Sequence, residues 1–303
     1  MADAQHSLQR GADASPHNTV RQRLVGDVAA RNKDFLAAEK AYSRVMDRSR
    51  GSTLRNMDDF ANLSRVLVER GNLVAARRIA ADMKREWRGD KQAEMAALVS
   101  ESLCLNAEGL PEKAIKLVDK ALDLQNQFAA EALEQSKHCS QRLTIDLAHA
   151  CFVTGKEEDA HCLLRQVAAE NNEDKHLIEH ITSIFEKTGQ ADAGKALLDQ
   201  VGKEIIELNN RGVLAARAGD LEGAVQLLIQ AADKVPNLQF LVNASKAIFT
   251  LLDQRGWDHN LAAKGSEYLE RAQHKARKNA KVASARELYL TVAKKYGKLK
   301  DAG

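Results

Sequence analysis

The sequence predicts an all-α protein, an α-solenoid of stacked antiparallel helix pairs with a C-terminal capping helix. Three observations predict it. Of 303 residues only 4% are aromatic and three are proline, while 44% are apolar and 29% charged; that balance belongs to a helical protein. A small residue in one amphipathic helix recurs twelve positions before a small residue in the next: Gly26 and Ala38, Ser64 and Ala76, Ser102 and Ala114, Ala148 and Ala160, Gly212 and Ala224, with a weaker copy at Thr182 and Gly194. Helices cross closely where the side chains between them are small. Finally, Gly71, Gly109, Gly155, Gly189 and Gly219 fall where the first helix of a pair must stop.

Along the chain, residues 1–18 are expected to be a flexible tail, residues 19–273 the repeat domain, and residues 274–303 a basic capping helix and tail. The opening run lacks the basic start and apolar middle of a signal peptide. No stretch reaches the roughly 18 consecutive apolar residues of a membrane span. A cytoplasmic protein with no membrane partner and reduced cysteines is therefore expected. The formal net charge of +3, left over from 45 basic and 42 acidic side chains, does not by itself call for nucleic acid.

The cleanest unit runs from Leu208 to Pro236. Asp220 is a good N-cap after the turn glycine Gly219, and Leu221, Ala224, Val225, Leu228 and Ala231 make one apolar face. With Gly212, Ala224, Ala231 and Pro236 at their offsets, this unit resembles the tetratricopeptide repeat family, and the resemblance extends over about 19–272. It implies a superhelix whose first helices line a concave, peptide-binding groove. The intervals between turn glycines depart from a constant repeat, from 30 residues (Gly189 to Gly219) to 46 (Gly109 to Gly155). A narrower resemblance, carried by Glu207–Val213, Gly219–Ala224, Asn243–Ala247, Tyr268–Ala272, Met57–Leu63 and Arg88–Asp90, is to the repeat region of bacterial CheY-like response regulators. A receiver domain itself needs apolar parallel strands and a phosphoacceptor Asp, and no strand-like run is seen in this sequence. The resemblance thus implies either a fragment or a stand-alone relative in signalling or motility.

Two residues before each small residue, the side chain is expected to face the groove. The successive occupants are Leu24, Asn62, Ser100, Asp146, His180, Asn210 and Asn243, and neighbouring positions add Asp58, Arg65, Arg142, Lys187, Asn209 and Arg217. From these, Asn62, Arg65, Asn209, Asn210, Arg217 and Asn243 are the candidate peptide-binding residues. An Asn there can donate to and accept from the backbone of an extended ligand. It can equally bond a neighbouring repeat, and both readings stay open. The mixed signs make a Lys/Arg-dominated clamp for a terminal carboxylate not evident.

Other motifs weigh less. His176, Glu179 and His180 match an H-x-x-E-H string, but they sit in an ordinary first helix without the fold that chemistry requires. His138 with Cys139, His149 with Cys151, and His161 with Cys162 could be zinc ligands, yet none has CxxC spacing. Cys151 and Cys162 are expected to face the core instead. With no Walker loop, dinucleotide fingerprint or nucleophile elbow, no catalytic residue, cofactor or metal is expected. The basic end, from His274 to Lys300 against Glu287 and Asp301, reads as the soluble face of a helix over 280–296, with Ala285, Leu288, Leu290, Val292 and Ala293 as its packed side. The function expected is a non-catalytic scaffold for a protein or peptide, with a receiver or other signalling protein among its candidate partners. An RNA-binding helical-repeat protein using the basic C-terminal region is the alternative, suggested by that region and by the pI near 8.6 and disfavoured by the scarcity of aromatic platforms for bases.

Overall fold

The computed structural model describes residues 2–49, 52, 55–135, 140–171 and 174–298. Among them are fifteen α-helices and no strand. Compact packing divides the chain into two units, Met1–Leu163 and Leu164–Gly303.

The first unit contains α1 (Ala2–Asp13), α2 (Thr19–Arg31), α3 (Phe35–Ser49), α4 (Met57–Glu69), α5 (Leu73–Glu86), α6 (Lys91–Ala107), α7 (Pro111–Gln135), α8 (Gln141–Val153) and the start of α9 (Glu157–Glu170). The second contains the rest of α9, then α10 (Lys175–Lys187), α11 (Ala191–Arg217), α12 (Leu221–Lys234), α13 (Leu238–Arg255), α14 (His259–Lys275) and α15 (Ala280–Lys295). Within each unit, successive helices pack as antiparallel pairs, α2 on α3, α4 on α5 and α6 on α7, then α11 on α12 and α13 on α14.

The small residues sit at the crossings. Ala38, Ala76, Ala114, Ala148, Ala160 and Ala224 are fully buried. The Ser64 hydroxyl donates to the Ala76 carbonyl at 3.4 Å across its crossing. A Cβ on Gly26 would lie 2.7 Å from the Tyr42 ring, and one on Gly212 only 2.6 Å from Leu228 Cγ. All five turn glycines have φ between 73° and 89°, the left-handed conformation that Gly adopts without a Cβ penalty. The residue after each donates its N–H to the carbonyl five positions back, as Asn72 does to Leu67 at 2.9 Å and Asp220 to Ala215 at 3.0 Å. This is the bond that ends a helix and satisfies one of its last carbonyls. After Gly71 and Gly219 the next helix starts on a capping side chain: Asn72 accepts from Ala75 N–H at 3.3 Å and Asp220 from Gly223 N–H at 2.9 Å.

The irregular intervals have physical causes. The 46-residue interval contains α7, 25 residues long. The 30-residue interval arises because the second helix of one pair runs without a turn into the first helix of the next, giving α11 its 27 residues.

Three expectations need correction. Residues 2–13 are helical rather than a flexible tail, because Ala12 and Leu8 pack against Val25 and Ala41. Cys162 is exposed, whereas Cys151 is buried, since α9 turns the former outward. In α15, Val282, Ala285, Val292 and Ala293 form the buried side, but Leu290, at the edge of that side, is 40% exposed. Lys300 and Asp301, like His138 and Cys139, lie outside the described residues.

Candidate functional site

The candidate residues separate into two environments, one in each unit. In the first, α4 carries Asn62 and Arg65 and α8 carries Asp146. Arg65 Nε and Nη2 donate to the two Asp146 carboxylate oxygens at 2.9 and 2.6 Å. Burial alone would lower the Arg65 guanidinium, but the charge and hydrogen bonds of Asp146 hold it above its ordinary value. Asn62 is buried, and its Oδ1 has no partner among the described residues. The space between α4 and α8 here is about 10 Å³, room for no more than a water. Asn62 and Arg65 therefore do not present free groups to a ligand; an aspartate 81 positions further along consumes the guanidinium. Ser100 is buried beside them, while Leu24 is exposed.

In the second unit the amides are joined. Lys281 Nζ on α15 donates to Gln239 Oε1 on α13. Gln239 Nε2 donates to Asn243 Oδ1 at 2.6 Å, Asn243 Nδ2 to Asn209 Oδ1 on α11 at 3.0 Å, and Asn209 Nδ2 to Asn210 Oδ1 at 3.4 Å. The bonds all run in one direction, so each polarises the next. Asn209 and Asn243 thus take the neighbour-bonded role, and Asn210 ends the chain at an exposed position where its own NH2 group can donate outward.

Beside this ladder lies a depression of about 280 Å³ lined by Val213, Ala216, Arg217, Leu221, Leu228, Asn243, Lys246, Ala247 and Thr250. Two cations, one amide and one hydroxyl stand over an apolar floor, and none of the nine is acidic. Arg217 is exposed and forms no ion pair among the described residues; Lys246 donates to Ser284 Oγ at 2.9 Å, which leaves its other N–H groups available. On α11 the exposed Ile206 and Leu214, 53% and 61% accessible, lie one turn to either side of Asn210. A larger depression in the first unit, about 810 Å³ between α3 and α5, is lined by charges of both signs, several of them paired, as Arg55 is with Glu86 and Arg85 with Asp82.

Of the residues singled out in the sequence as groove candidates, Asn209, Asn210, Arg217 and Asn243 lie together here, joined by Gln239, Lys246, Lys281 and Ser284, which were not among those candidates. The stretch from Leu238 to Leu252 contains one charge, Lys246, and no acid, which was the available signal. His176 and Glu179 are both exposed, 3.7 Å apart on the surface of α10. Among the described residues, no group of three His, Cys, Asp or Glu side chains is placed to hold a metal ion, and no helix is long and apolar enough to cross a membrane.

No protein-family model matches the chain, and no curated protein does. Among solved structures it is similar to a Rap protein complexed with competence and sporulation factor, at 15% identity and TM-score 0.41 over 92% of this chain and 76% of the other. It is also similar to YrrB, described as a TPR protein with an unusual peptide-binding site, at 11% identity and TM-score 0.31 over 79% and 97% of the two chains. A tetratricopeptide repeat protein from Parabacteroides merdae is similar at 12% and TM-score 0.29 over 90% and 98%. At these values, fold and ligand must be argued from this chain's own residues.

Proposed function

We propose that the protein is a non-catalytic interaction module in which the face of α11, α13 and α15 binds an extended peptide carrying an acidic side chain. The depression with cations and no acid, set against the amide ladder, is the observation that carries this reading. A peptide laid across the three helices would meet donors at Asn210, Lys246 and Arg217, while Val213 and Leu214 receive its apolar residues. Charge-assisted bonds to Arg217 and Lys246 select a carboxylate over an amide. The resemblance of 207–272 to the repeat region of bacterial response regulators supports looking for the partner among cytoplasmic signalling or motility proteins, a receiver included.

Fluorescence anisotropy with labelled nonapeptides of acidic, neutral and basic composition tests the reading. The acidic series binds, and the double substitution Arg217→Ala and Lys246→Ala weakens it by about tenfold or more. Equal binding of the basic series, or preferential binding of single-stranded RNA, overturns it.

A further inference from the structure

Acid is missing from one side of the second unit. Residues 234–252, which contain most of α13, hold Lys234 and Lys246 and no Asp or Glu. Residues 271–286, the end of α14 and the start of α15, hold Arg271, Lys275, Arg277, Lys278, Lys281 and Arg286 and again no Asp or Glu. In a chain whose 45 basic and 42 acidic side chains nearly balance, these two stretches are packed together, α13 on α15, so their fields add. The two helices run side by side in the same direction, because Lys281 bonds Gln239 near their starts and Lys295 bonds Asp253 near their ends. Cations therefore step diagonally across the face: Arg217 closes α11, Lys246 lies midway along α13, and Lys281 opens α15. Just before Lys281 the chain turns through Arg277 and Lys278, both exposed and without a partner among the described residues.

Resting on the groove reading above, we infer that the turn between α14 and α15 receives a second acidic cluster of the same peptide, so the ligand carries two groups of Asp or Glu and lies in one direction only. The spacing follows from the helices. Gln239 and Lys246 are seven residues apart, about 10 Å of rise, and packed helix axes are about 8–10 Å apart; Lys246 and Lys281 are thus about 14 Å apart. Lys278 lies at most about 11 Å further on. At about 3.3 Å per residue of extended chain, the second cluster falls about four to eight residues from the acid held at Lys246. Lys281 keeps N–H groups free beyond its bond to Gln239. Each exposed pair contributes little alone, so a cluster of acids is required rather than one. No Phe, Trp or Tyr lies between Tyr268 and Tyr289; the turn has no platform for a base, whereas carboxylates need only its cations.

Anisotropy titrations of the full chain test this with a nonapeptide whose acids are confined to its centre, extended at either end by four Glu or four Gln residues. In about 50 mM salt the Glu tail at one end strengthens binding about tenfold over the Gln tail, and at the other end by about twofold or less; the gain disappears near 1 M salt, where exposed charges are screened. Arg277→Gln with Lys278→Gln removes the gain and leaves the untailed nonapeptide unchanged. Lys113→Gln with Lys116→Gln, the same loss of charge from exposed positions of α7, leaves the gain intact. Equal gains at both ends, a gain that survives the Arg277 and Lys278 substitutions, or one abolished by the α7 pair overturns the second contact, while the groove stands as long as the nonapeptide binds. No binding of the nonapeptide overturns both. Single-stranded RNA that binds more tightly than the Glu-tailed peptide and is lost in the Arg277 and Lys278 variant makes the turn a phosphate site, and also overturns the inference.

Discussion

Two glycines of the same helix respond oppositely to the same substitution. Both Gly202 and Gly212 lie inside α11, where replacing Gly by Ala gains about 0.8–1 kcal/mol of helix propensity. At Gly202 a Cβ meets nothing within 4 Å, so Gly202→Ala keeps that gain. At Gly212 the Cβ falls 2.6 Å from Leu228 Cγ and 2.9 Å from its Cδ2, roughly 1 Å inside ordinary carbon contact. Leu228 is itself only 2% exposed, so either α11 and α12 separate or Leu228 is driven off its place toward the depression it lines. Overpacking of this kind costs about 1–3 kcal/mol. The propensity gain is common to both variants and cancels between them, so Gly212→Ala is less stable than Gly202→Ala by that same amount, about 1–3 kcal/mol. Urea unfolding followed by circular dichroism measures the gap. Equal midpoints, or a more stable Gly212→Ala, would refute the close crossing of these helices.

Burial first, then the carboxylates of Asp27 and Asp233, push the Tyr42 and Tyr268 phenols above their ordinary value. The native chain then keeps protons that the unfolded chain releases above about pH 10, so stability is full below that pH and falls above it by about 1.4 kcal/mol per pH unit for each tyrosine. Denaturation between pH 9 and 11 shows this fall, and Tyr42→Phe removes its share from the first unit. Burial likewise raises the Cys104 thiol to about 11 and the Cys151 thiol to about 12. At pH 8 iodoacetamide therefore modifies the exposed Cys162 well before either, and mass spectrometry finding Cys151 modified as fast contradicts its placement. Val292→Asp puts an unpaired carboxylate at a fully buried position of α15 and lowers the stability of the second unit by about 3–5 kcal/mol; an unchanged urea midpoint would show that α15 is dispensable.

The repeating units were legible because their requirements are local. A left-handed turn asks for glycine and a tight crossing for small residues, and both leave marks at fixed spacing, as at Gly71 and at Ser64 with Ala76. The amide face of α11 was legible for the same reason, since Asn209 and Asn210 stand beside Gly212. What the sequence could not give was register between distant helices. Nothing near Arg65 announces Asp146, so its guanidinium read as available. The first helix was hidden as well: Leu8 and Ala12 are too few apolar residues to mark a packed face until Val25 and Ala41 are placed against them. The fused helix left one trace, the shortened interval between Gly189 and Gly219.

That fused helix sets a phase. Gly194 and Gly212 are 18 residues apart, which at 3.6 residues per turn is about five full turns and roughly 27 Å of rise. The glycine that receives Phe185 from α10 and the glycine that receives Leu228 from α12 consequently point to the same side of one rod. Removing a single residue between them would swing one contact by about 100° relative to the other, leaving one of the two partners facing water. The length of α11 between its glycines is therefore quantised: a loop at this place could drift in length over evolution, whereas this rod can change only by whole groups of residues that restore the angle.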